Sequence, residues 1–96
     1  MAYTISSALA MLTRSGASRE EIRAAEAIQE VLDIHRRGTL DISDWSNSPY
    51  TVLFGFCNHA MSMTSEDDDN DDRREQVITA AQIAYDALKT AAERNR

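Results

Sequence analysis

The chain has 96 residues, a formal net charge of −6, one cysteine, one proline and three glycines. A single cysteine excludes an intramolecular disulfide framework, and scarce proline and glycine beside abundant alanine exclude a turn-rich β fold. The negative balance argues against direct binding of nucleic acid or of an anionic membrane, either of which would be repelled over the whole surface.

The composition predicts one all-α domain over residues 1–96, a small bundle of about four helices. In chain order, the first helix is expected over residues 5–15: Ile5, Leu9 and Leu12 recur at helical spacing, and Gly16 stands where a left-handed residue closes a helix. Ser18 and Glu21 have capping-box spacing and open a second helix over 19–37, closed by Arg36, Arg37 and Gly38. Its buried stripe is predicted to be Ile22, Ala25, Ile28 and Leu32 with Val31 alongside, and Arg23, Glu26, Glu30 and Asp33 take the solvent side.

A polar connection punctuated by Leu40, Ile42 and Trp45 follows, and Ser48-Pro49 reads as an N-cap and first-turn proline for a third helix over 49–64. That helix is apolar round most of its circumference, with Tyr50, Leu53, Phe54, Cys57 and Met61 on one stripe and Val52, Phe56 and Met63 on the other side. Such a helix is expected to be either central or half of an interface between copies. The run from Glu66 to Asp72 should stay extended and solvated as a loop over 65–72, with Asp72 and Glu75 forming a second capping box. The fourth helix, over 73–93, carries a heptad seam of Val77, Ala81, Ala84, Leu88 and Ala91, widened by Ile78, Ile83 and Tyr85. Helices three and four are expected to form a C-terminal antiparallel hairpin.

Chemistry is sparse. Cys57 and His59 lie two apart on one helix, so their side chains diverge by about 200° and cannot pair as nucleophile and base. One cysteine and two histidines do not make a zinc pattern. Aligning a calcium loop on Asp67, Asp69 and Asp71 puts Asp72 at the glycine position and Ile78 at the bidentate glutamate position, so that motif fails as well. There is no glycine-rich phosphate loop, and the doublets Arg36-Arg37 and Arg73-Arg74 have no aromatic platform beside them. No metal, cofactor or catalytic residue is therefore assigned, and the chain is expected to be non-enzymatic. With no basic leader at Met1 to Ser7 and no apolar run near the roughly 18 residues of a membrane span, it is expected in the cytoplasm.

The charge map points to binding. Residues 1–38 sum to zero, 39–64 to −2, 65–72 to −6 and 73–96 to +2, so the acidity belongs to one segment. The expected partner is a protein with a basic surface, met by Glu66, Asp67, Asp68, Asp69, Asp71 and Asp72, with apolar contact from Phe54, Phe56, Met61, Met63 and Trp45. Mimicry of DNA over a whole face fits less well, because the carboxylates are concentrated in one place. In size, acidity and lack of a catalytic constellation the chain resembles small phage and mobile-element proteins that block host defences, anti-CRISPR proteins among them. The resemblance rests on no motif and carries over no residue; it implies an inhibitor that occludes a basic surface. The alternative is a self-associating adaptor, a homodimer packed through helix three or the Val77 to Ala91 seam. A pocket for a small ligand among Trp45, Tyr50, Phe54 and His59 ranks third.

Overall fold

Four helices succeed one another in the computed structural model, which describes residues 4–34, 48–66 and 69–94: α1 (Ile5–Leu12), α2 (Arg19–Ile34), α3 (Pro49–Met61) and α4 (Asp71–Arg94). No strand occurs among the described residues, and the radius of gyration is 12.8 Å. The molecule is a small all-α bundle.

Thr4 caps α1, its Oγ1 accepting from the Ser7 amide at 3.2 Å. The helix stops at Leu12, three residues short of the expected end, because side chains take over its last carbonyls. Thr13 Oγ1 donates to Leu9 O at 3.0 Å, and the Arg14 guanidinium donates to Met11 O. Gly16 does adopt the left-handed conformation, with φ of 86°, but in a different structure. The Ala17 amide donates to Arg14 O at 3.0 Å, so Gly16 is the third residue of a tight turn, where a type II turn requires positive φ.

The capping box of α2 is present as the spacing predicts. The Glu21 amide donates to Ser18 Oγ at 3.2 Å, and the Ser18 amide donates back to Glu21 Oε1 at 3.0 Å. The helix is described to Ile34; Arg36, Arg37 and Gly38, expected to close it, lie outside the described residues. Its buried face is rotated from the predicted one. Glu21, Ala24, Ala25, Ala27, Ile28 and Val31 are buried, whereas Ile22 is 41% exposed. The center of that face, 21-24-28-31, follows the same three-four alternation as the seam on α4, and alanines let the two helices approach closely.

Pro49 opens α3 after Ser48, whose side chain makes no capping bond to the helix. The helix ends at Met61, again three residues early, where the Ser62 and Met63 amides turn back to His59 O and Ala60 O. It buries Val52, Leu53, Phe56, Cys57 and Ala60 and exposes Thr51, Gly55, Asn58 and His59.

The acidic run does not stay extended to its end. Asn70, not Asp72, caps α4: its Oδ1 accepts from the Arg73 amide at 2.9 Å, and its carbonyl accepts from the Arg74 amide at 2.9 Å. Capping by the neutral residue leaves Asp71 and Asp72 inside the first turn, where both face the positive end of the helix dipole.

The seam Val77, Ala81, Ala84, Leu88 and Ala91 is fully buried, and α4 is the spine of the bundle. Its most extensive packing is against α2, with α3 second, and α1 lies chiefly on α3. α2 runs antiparallel to it, and α3 folds back on it across the short connection between Met61 and Asp71. Arg94 at the end of α4 reaches Glu20 at the start of α2, Nη1 to Oε1 2.9 Å, and Tyr85 meets Phe54 edge-on with ring centroids 5.1 Å apart. The C-terminal hairpin is thus present, but α2 is the larger partner. Phe56, Leu12, Ile28, Leu53 and Leu88 are the largest fully buried side chains, each contributing about 1.5–3 kcal/mol by its removal from water.

Candidate functional site

Two groups of acidic side chains have opposite surroundings. Glu21 is 3% exposed. Arg14 reaches it across the α1–α2 turn, Nη1 to Oε2 2.7 Å and Nη2 to Oε1 3.4 Å, and the Ser18 amide completes its ligation. Burial alone would raise the Glu21 pKa; the bonds from Arg14 and from the Ser18 amide and hydroxyl, with the charge of Arg14, outweigh that and hold it at about 2. The Arg14 pKa rises in turn through its bond to Glu21. Arg14 was not foreseen in this network, because it lies seven residues from Glu21 on the other side of a turn.

The second group is the predicted partner surface. Glu66, Asp69, Asp71 and Asp72 are all exposed at the end of the molecule where α4 begins; Asp67 and Asp68 lie outside the described residues. The Glu66 amide donates to Thr64 Oγ1 at 3.3 Å, and Arg74 forms an ion pair with Asp71. Arg74 thereby partly neutralises the acids beside it.

The apolar half of the predicted surface is placed differently from expectation. Phe56 is fully buried and Met63 is 7% exposed, both within the core, so neither is presented to a partner. Phe54 and Met61 are half-buried against that core, Phe54 on Tyr85. Trp45 lies outside the described residues. Within one chain α4 and α1 pack over part of the apolar circumference of α3, leaving Tyr50, Phe54 and Met61 half-buried, and α2 packs over the seam. Among the described residues, the large apolar side chains left exposed are Met11, Ile22 and Ile83. Ile83 was expected to widen the buried face of α4, yet it is 39% exposed on the side shared with α2.

Cys57 is fully buried, and burial pushes its thiol up to about 12, so it is protonated and shielded at neutral pH. His59, two residues on, faces out. Tyr50 and Phe54, two members of the suggested ligand pocket, are half-buried, and Phe54 packs onto Tyr85 in the bundle. Among the described residues no three His, Cys, Asp or Glu side chains stand close enough to hold a metal ion, and no helix is long and apolar enough to cross a membrane. No protein-family model matches the chain, and no curated protein or solved structure shows significant similarity to it.

Proposed function

We propose that this protein acts by binding and not by catalysis: it is a non-enzymatic acidic module that occludes a basic surface of another protein. Small phage and mobile-element inhibitors of host defence complexes are the kind of protein this describes. The observation that carries the proposal is the exposure of Glu66, Asp69, Asp71 and Asp72 at one end of the bundle, while the buried carboxylate, Glu21, is satisfied internally. Exposed carboxylates of one sign accelerate encounter with an oppositely charged patch and exclude like-charged partners. The silent Cys57 thiol is consistent with a role that needs no nucleophile.

The test compares tagged wild type with a variant carrying Asn at Asp67, Asp68, Asp69 and Asp71, in affinity purification from the native host followed by mass spectrometry. The expected result is an unchanged helical CD spectrum, loss of the captured partner in the variant, and release of that partner from wild type by added salt. Retained capture by the variant would reject the proposal.

A further inference from the structure

Charge brings two proteins together, but a specific complex also needs a concave contact from which water is expelled around an apolar anchor. The α2/α4 side of the bundle supplies one. A groove of about 390 Å³ lies between Glu30 of α2 and Asp72, Glu75 and Thr79 of α4, with Ile83 at its end. A second, of about 320 Å³, continues from Ile83 between Glu20 and Arg23 on one side and Asp86 and Thr90 on the other. Ile83 belongs to both, so the two make one trough with an exposed isoleucine at its midpoint. On α4 the trough follows residues 72, 75, 79, 83, 86 and 90, a single helical stripe of about 27 Å at 1.5 Å per residue.

The walls carry five carboxylates, Glu20, Glu30, Asp72, Glu75 and Asp86, against one guanidinium, Arg23. Arg94 engages Glu20 Oε1, but Glu20 Oε2 is buried without a hydrogen-bond donor. An isoleucine left 39% exposed between rows of mostly exposed carboxylates calls for an occupant of mixed chemistry. It must bring cations for the walls and an apolar residue for Ile83. A second copy does not fit, since matching this face to itself sets like charges opposite one another.

We propose that the trough is the docking site for a lysine- and arginine-rich amphipathic helix of the partner protein, seated as a third helix over the α2/α4 seam. The proposal rests on the binding of a basic protein argued above and gives that partner its structural form. Asp72 belongs both to the acidic end of the molecule and to the trough wall, so the exposed acids lead directly into the groove.

The test uses a synthetic amphipathic helical peptide of about 18 residues, the length that spans the trough, with Lys and Arg flanking a central Leu. The control is a scrambled peptide of the same composition. In low salt the amphipathic peptide should shift the amide resonances of Glu30, Thr79, Ile83 and Asp86 and bind at least about tenfold more tightly than the scrambled one. The Ile83→Asp variant should bind it roughly tenfold less tightly, the scale of losing one packed apolar anchor, even though the substitution adds negative charge. Glu30→Gln with Glu75→Gln, which leaves Ile83 in place, should also weaken binding. If Ile83→Asp binds more tightly, or the two peptides bind equally, the docking site is overturned and the wider role as a binder of basic surfaces stands. Failure of both peptides to bind likewise overturns the docking site, while the capture experiment with the Asn variant decides the wider role.

Discussion

Two helix N-termini in this molecule carry carboxylates and use them in opposite ways. At the start of α2, Glu21 is enclosed by Arg14 and Ser18 and belongs to the fold. At the start of α4, Asp71 and Asp72 gain from the helix dipole but remain in water, continuous with Glu66 and Asp69. Net charge does not separate the two roles; the donors around each carboxylate do. A buried acid that already accepts three hydrogen bonds has nothing left to offer a ligand, whereas an exposed one costs little to keep and can steer an encounter.

The sharpest way to break the contrast is Glu21→Ala. It removes the side-chain half of the capping box, leaving the Ser18 amide and the Arg14 guanidinium without their shared carboxylate, so urea denaturation should show a loss of about 2–3 kcal/mol. Acid should reveal the same asymmetry more gently. The folded pKa of Glu21, about 2, lies below its ordinary value of 4.5, so its contribution is complete above pH 4.5 and is lost as pH falls toward 2. Because the Arg14 side chain is 43% exposed and its charge is screened, that contribution is about 1–2 kcal/mol; chemical denaturation between pH 5 and pH 2 should show it in wild type and not in Glu21→Gln. The smallest effect belongs to the other terminus. Replacing Asp69 and Asp72 with Asn should change stability by less than about 0.5 kcal/mol in the same assay. A larger loss would mean that these acids serve the fold after all.

Much of the local architecture was legible in the chain. The Ser18/Glu21 box and Ser48-Pro49 each marked a helix start, and the seam from Val77 to Ala91 is buried as its spacing predicts. The errors have identifiable physical causes. Three consecutive Asx residues could each have capped α4, and choosing Asn70 over Asp72 depends on which arrangement places the aspartates in the first turn. The ends of α1 and α3 moved because Thr13, Arg14 and Ser62 could satisfy carbonyls that another helical turn would also have satisfied. Of the expected contact surface, the exposed acids were visible as a charge run. The trough was not, since its walls come from residues more than forty positions apart in the chain.

What the sequence determined by itself are features built from neighbours three or four residues apart: the starts of α1, α2 and α3, the heptad period of α4, and the location of the negative charge. What only the tertiary structure decided is which faces meet. Alanine is compatible with either side of a helix, so the pattern of α2 did not determine whether Ile22 or Ala24 would face inward. Packing against the alanine-lined seam of α4 settled it by burying Ala24, Ala27, Ile28 and Val31. The same rotation left Ile22 in solvent, and at the other edge of the seam Ile83 stands exposed between two helices. That position follows from the fit of two surfaces distant in the chain, which no local spacing encodes.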